Sequence, residues 1–233
     1  MPSKTRSFFL SSLSPKSREL LMSRCTAVAL RQKMRLYKPD DRPTYAYFVT
    51  SGIASVVLEM ADGAMAEVGM IGREGIVGAM HILGPVPAPT HCFVQMEGTA
   101  LRMPLEEVRK IFEQSAEIRD AILKLVQKEA MVLSQVAGCN RLHSAEERLA
   151  RWLLTAQDLA QVADLHFTQA LLANMLGARR ATVTIIAGAL QRAGLIRYHR
   201  GHVEILDRKG LEQAACDCYQ VIREIQGDLY RMR

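Results

Sequence analysis

No stretch of this 233-residue chain approaches the ~20 consecutive apolar side chains that a helix needs to cross a bilayer. Phe8-Phe9-Leu10 is too short for the apolar core of a secretion signal, so no membrane association and a cytoplasmic location are expected. Cysteine is sparse, odd in number and scattered: five thiols do not make the paired framework of a disulfide-stapled domain. No nucleophile, base and orienting group stand out as a set, so no catalytic residues and no enzyme are expected. The most informative absence is local. Between Leu165 and Val203 there is no aspartate or glutamate, whereas five arginines and three histidines fall there. A DNA backbone is a line of negative charge, and a surface built to approach it carries few carboxylates.

What is present agrees. Thr168 can cap a short helix through Leu176, Gly177-Ala178 can turn the chain, and Arg179-Arg180-Ala181-Thr182-Val183-Thr184 can open a second helix. Two short helices joined by a glycine turn form the helix-turn-helix, whose second helix enters the major groove. Leu172, Met175, Leu176, Val183, Ile186 and Leu190 read as the core that locks the two together. The formal charge of +6 fits DNA binding without identifying it. Nearly half the residues are hydrophobic, and the length suits two compact units.

The texture changes along the chain. Ser14 as cap and Pro15 at the first helical position predict a helix over Ser14–Leu30. From Tyr37 to Met103 short apolar runs alternate with glycines: Tyr45–Val49, Ile53–Leu58, His91–Met96 and Thr99–Met103 read as strands, with Asp62-Gly63 as a hairpin turn. This predicts a small antiparallel barrel or roll, followed by a helix from Leu105 to Phe112. Ile118, Ile122, Leu125, Glu129, Val132, Val136 and Cys139 are then spaced alternately four and three, as in a coiled-coil seam. That spacing predicts a dimerisation helix, with Glu129 as the one charged residue on its seam, leaning to solvent or facing a ligand pocket. Ser144 and Glu147 form a capping box, placing a hinge at Leu142–Ser144. Leu195–Tyr198 and Val203–Leu206 make a hairpin, and Asp207 caps a C-terminal helix. Cys216 and Cys218 on such a helix would point about 200° apart, so with His199 and His202 they are not expected to bind a metal.

A glycine-punctuated strand-rich domain, a long helix and a C-terminal winged helix, with Thr168–Leu190 continued by Gln191-Arg192-Ala193-Gly194-Leu195-Ile196, resemble the Crp/Fnr family of bacterial transcription regulators. The resemblance implies an α+β fold: an antiparallel β-roll of double-stranded β-helix or jelly-roll type (1–116), a dimerisation helix (117–142) and a winged helix-turn-helix (143–233). It implies a homodimer on a palindromic site in double-stranded DNA, with RNA polymerase as a further partner and a small-molecule effector that the sequence leaves unknown. Family members that bind cyclic nucleotides grip ribose through a glycine-glutamate pair and phosphate through an arginine-serine pair. Here the glutamate position is Ala79 and the arginine position Pro89, which removes the charge-assisted hold on phosphate. A cyclic nucleotide is therefore not the expected effector; a cyclic-nucleotide-responsive binding protein is the alternative. The iron–sulfur members need a cysteine cluster near the N-terminus, where only Cys25 lies, and a haem would need His81 or His91 as axial ligand. No cofactor is expected.

The expected DNA contacts follow from position. Arg179 and Arg180 stand where the second helix points at base edges, and arginine reads guanine through O6 and N7. Arg180 aligns with a base-reading arginine of the family, whereas Ala181 and Ile185 replace a glutamate and an arginine. Thr182 and Thr184 suit bases or phosphates. Thr168 and Gln169, at the start of the first helix, suit a phosphate, as does Arg200 at the wing tip.

Overall fold

A computed structural model describes residues 6–84 and 86–231. Two long antiparallel strands organise the N-terminal half, β3 (Tyr45–Glu59) and β6 (Thr90–Pro104). The four strands read from sequence are these two, because the glycines between the apolar runs bend continuous strands instead of ending them. Gly52 has φ +83°, and a Cβ on it would lie 2.6 Å from the Met96 carbonyl oxygen. On Gly98 a Cβ would lie 2.1 Å from the Ser51 oxygen. The backbones cross too closely for any side chain. The register slips between Val49 and Ala54, and such bulges add the twist that rolls a sheet. Two further strands, β1 (Thr26–Leu30) and β2 (Arg35–Tyr37), pair with β6, and β4 (Met65–Ile71) and β5 (Ile76–Val77) pair with β3, all antiparallel. The β3–β4 hairpin turns at Asp62-Gly63, where Asp62 Oδ1 accepts the Ala64 N–H at 2.9 Å.

Helices cover this sheet. The first, α1 (Phe8–Ser12), sets Phe9 against Phe48 with ring centroids 5.9 Å apart. The helix expected over Ser14–Leu30 is shorter: α2 spans Pro15–Met22, capped by Ser14. Thr-Ala-Val-Ala-Leu alternates and is β-branched at two positions, and five register pairs from Thr26↔Arg102 to Leu30↔Gly98 draw it into the sheet. Between β5 and β6 lies α3 (Ala79–Leu83), and after β6 comes α4 (Leu105–Gln114).

The long helix α5 (Ala116–Leu142) is capped by Ser115, whose oxygen accepts the Ile118 N–H. Ile118, Ile122 and Leu125 are fully buried in one core with Phe9, Phe48, Met103, Val108 and Ile111. Cys139 is buried against Cys216 and Cys218, and Val132 and Val136 are half-buried. Four of the seven seam residues are thus buried in the chain's own cores, whereas Glu129, Val132 and Val136 are only partly buried. Alternating four-three spacing marks one apolar side of a helix but not what covers it. The opposite side is open, with Leu123, Met131 and Leu133 each close to half exposed.

His143 ends α5, and Ser144 opens α6 (Ala145–Ala160) with both bonds of the capping box: Glu147 N–H to Ser144 Oγ at 3.3 Å and Ser144 N–H to Glu147 Oε2 at 2.8 Å. Then follow β7 (Asp164–His166), α7 (Gln169–Leu176), α8 (Arg180–Arg192), β8 (Ile196–His199), β9 (His202–Ile205), α9 (Arg208–Ala214) and α10 (Cys218–Arg231). A three-stranded sheet of order β7-β9-β8 closes this half. Its core joins Leu149, Trp152, Leu153, Phe167, Leu172, Val183, Leu190, Ile196 and Leu211. Each fully buried side chain of this kind stabilises by roughly 1.5–3 kcal/mol relative to exposure. The two halves touch through Trp152, whose Nε1–H donates to Glu67 Oε1 at 2.6 Å.

Candidate nucleic-acid interface

The helix pair α7–α8 is built as its sequence dictates. Thr168 Oγ1 accepts the Leu171 N–H, and Gly177 takes the left-handed conformation at φ +59° that stops α7. The Ala178 N–H then bonds back to the Ala173 oxygen at 2.9 Å, fixing the turn. Val183, Ile186, Ala187 and Leu190 bury one side of α8. That leaves Arg180, Ala181, Thr182, Thr184 and Ile185 exposed on the other, and Arg179, as N-cap, is exposed beside them. Thr184 Oγ1 lies 2.8 Å from Gln169 Oε1 and 3.0 Å from the Arg180 carbonyl oxygen; its single proton can serve either. Thr184 and Gln169 therefore meet across the two helices instead of standing apart.

The β8–β9 hairpin leans on the same surface. Tyr198 donates its hydroxyl to the Phe167 carbonyl at 3.0 Å. A Cβ built on Gly201 would stand 3.5 Å from Thr168 Cγ2, so the hairpin tip lies against the start of α7. Arg200 occupies that tip, exposed, at φ +48°. Thr168, Gln169, Arg179, Arg180, Thr182, Thr184 and Arg200 thus lie together on a segment that carries no aspartate or glutamate between Leu165 and Val203. Chemically it offers guanidinium groups, hydroxyls and the N-terminus of a helix, all suited to phosphate oxygens and base edges.

In the N-terminal half the two positions expected to grip a nucleotide carry no polar side chain. Ala79 is buried at the start of α3, and Pro89 is exposed in the loop before β6. Glu129 turns away from solvent: its Oε1 lies 3.9 Å from where a Gly75 Cβ would be. Burial, with the Glu74 carboxyl nearby, pushes the Glu129 pKa up to about 8. His81 and His91 are both buried.

The structure also corrects the reading of the C-terminal cysteines. The chain breaks between α9 and α10 at Ala215-Cys216, so Cys216 precedes the helix that Cys218 opens. Both thiols face Cys139 and His143, whereas His202 stands apart beside Asp164 and His166. Sequence reasoning also missed Arg148. Its guanidinium donates to the Asn140 oxygen at 2.9 Å and the Leu176 oxygen at 2.7 Å. Helix C-termini leave carbonyls unpaired, and a basic residue four after the capping serine was the available signal.

Comparison with known proteins agrees with this arrangement. Residues 27–115 match the cyclic nucleotide-binding domain family, and residues 147–214 match the Crp-like helix-turn-helix domain family. The transcriptional regulatory protein btr of Bordetella pertussis is 24% identical over 199 residues, 80% of this chain and 79% of that one. The c-di-GMP-responsive global regulator CLP of Xanthomonas campestris shares the fold with a TM-score of 0.69 at 18% identity, covering 82% of this chain and 99% of that one. FixK2 of Bradyrhizobium japonicum does so with a TM-score of 0.70 at 16% identity, covering 82% and 98%. No helix among the described residues is long and apolar enough to cross a membrane. With both family domains present in order, joined by α5, the chain belongs to the Crp/Fnr family of transcription regulators.

Proposed function

We propose that this regulator binds a palindromic operator in double-stranded DNA as a homodimer, with α8 in the major groove and the β8–β9 wing on the backbone. The open face of Arg179, Arg180, Thr182 and Thr184, flanked by Arg200 and free of carboxylates, carries this reading. Arg180 reads a guanine; Thr168, Gln169 and Arg200 hold phosphates. The partner face of α5 is its open side, where Leu123, Ala130 and Ala137 recur every seven residues and Met131 and Leu133 flank them. The recognition helices of the dimer enter successive major grooves, so the half-sites lie about one helical turn apart.

The effector is not a cyclic nucleotide. Pro89 supplies no cation for a phosphate, and Ala79 supplies no ribose acceptor. Two carboxyl groups, Glu74 and Glu129, lie close enough to act on each other beside the loop that would receive the ligand. RNA polymerase is the partner through which the bound dimer acts. Selection of bound fragments from genomic DNA, followed by titration of the enriched site at several salt concentrations, tests the reading. A symmetric motif with steep salt dependence is expected. Salt-insensitive binding, or none, alongside micromolar affinity for cyclic AMP or cyclic GMP would favour the alternative, a nucleotide-responsive binding protein.

A further inference from the structure

Three thiols and an imidazole meet where three elements end. Cys139 lies in the last turn of α5 and His143 is its C-cap; Cys216 lies in the extended break after α9; Cys218 opens α10. One donor atom from each residue lies within 4.8 Å of all the others. Cys139 Sγ and Cys216 Sγ are 3.5 Å apart, and Cys218 Sγ is 3.5 Å from His143 Nδ1. Ligands at Zn–S ~2.3 Å and Zn–N ~2.0–2.1 Å around a tetrahedron stand roughly 3.5–3.8 Å from one another. Two of the donor pairs already have that separation and all four lie within 4.8 Å, close enough to converge on a single ion and too close to enclose a cluster of several iron and sulfide atoms.

The surroundings fit as well. His143 Nε2 faces Asp217 Oδ1 at 3.5 Å, which favours the tautomer that leaves Nδ1 free to ligate. Gln135 Nε2–H donates to Cys218 Sγ at 3.1 Å, as an amide does to a metal-bound thiolate. A divalent ion with three thiolates and a neutral histidine carries one net negative charge. Arg151 is buried with no hydrogen-bond partner for its Nε among the described residues, and both Arg148 and Arg151 act electrostatically on Cys139 and Cys216. These two guanidinium groups would offset the negative charge of such a complex.

We propose that Cys139, His143, Cys216 and Cys218 bind one tetrahedral metal ion of the zinc class, pinning the end of the long helix to the C-terminal helices of the DNA-binding half. Four protein ligands close the coordination shell, so the role is structural and not catalytic. Binding replaces three thiol protons, which leave to solvent as the ion enters. Soft thiolate donors in this geometry favour zinc, with cobalt(II) as a spectroscopic substitute.

The test uses the full-length protein purified under reducing conditions. Elemental analysis should find one zinc per chain, retained in Cys25→Ser and lost in Cys218→Ser and His143→Ala. Because those variants can lose metal by misfolding, wild-type protein stripped with a chelator is titrated with cobalt(II). The visible absorption of tetrahedral cobalt–thiolate should saturate at one equivalent and vanish on adding zinc. Wild-type protein that takes up no cobalt with thiolate bands would overturn the proposal. So would protein isolated without a chelator that holds no zinc and is two hydrogens light, with a Cys139–Cys216 disulfide, which would make the cluster a redox pair.

Discussion

The helices α5 and α8 each bury one side, yet they use the other side oppositely. In α8 the buried residues are Val183, Ile186, Ala187 and Leu190, and the open side is polar and cationic. In α5 the buried side holds Ile118, Ile122 and Leu125 but also Lys128, with Glu129 turned inward beside it, while Leu123, Met131 and Leu133 stand in the open. A helix that faces a polyanion can leave its polar side to water until binding. One that leaves leucine and methionine outward along several turns presents apolar surface that a second helix could cover. Amphipathicity alone does not distinguish the two uses; the sign of what is left outside does.

The strongest break of this comparison is a pair of neighbouring substitutions on α5. Ile122→Asp places a charge in a core with no counter-ion and should destabilise the chain by more than about 3 kcal/mol, seen as a large fall in denaturation midpoint. Leu123→Asp, one residue away on the open side, should leave that midpoint nearly unchanged. It should instead convert dimers to monomers in sedimentation at micromolar concentration. Equal loss of folding in both variants would mean that α5 has no partner face.

On α8, Arg180→Ala should cost roughly 1–3 kcal/mol of operator binding and relax preference at one base pair per half-site. If it weakens all single-base operator variants alike, Arg180 holds phosphate. Specificity then rests on Arg179, Thr182, Thr184 or DNA shape.

Glu129 sharpens the contrast through pH. Its pKa is raised from 4.5 to about 8 in the folded chain, chiefly by burial. The native state therefore holds a proton that the unfolded chain releases. Stability is complete below about pH 4.5 and declines as pH rises towards about 8. Glu129→Gln keeps the neutral shape and should gain on wild type by on the order of 1–3 kcal/mol at pH 9, with little difference at pH 4.5. Denaturant curves that stay parallel across that range would show the carboxyl ionised in the fold. The smallest effect belongs to the wing: Arg200→Ala should weaken all sequences alike and lower the salt slope by about one.

Much of the winged half was legible because its signals are local. Thr168 caps within three residues, Gly177 needs only its own freedom to reach positive φ, and Ser144 with Glu147 completes a box within one turn. The N-terminal half resisted for the opposite reason. Gly52 and Gly98 look like turn glycines, and only the crossing strand, some 46 residues away, shows why neither can carry a side chain. The direction of α5 depends on the sheet it lies over, which periodicity does not contain. The cysteine and histidine cluster joins positions 77 residues apart, and it was hidden by the expectation that one helix runs through Cys216 and Cys218.

Arg148 gives the molecule a gear. One planar guanidinium, fixed on the first turn of α6, grips the last turn of α5 through Asn140 and the end of α7 through Leu176. Because the guanidinium is planar, a change of angle at His143 strains one of these two hydrogen bonds unless α7 moves with the end of α5. In the proposed dimer on DNA, a turn of α6 against α5 would therefore be felt at the end of α7, next to the recognition helix.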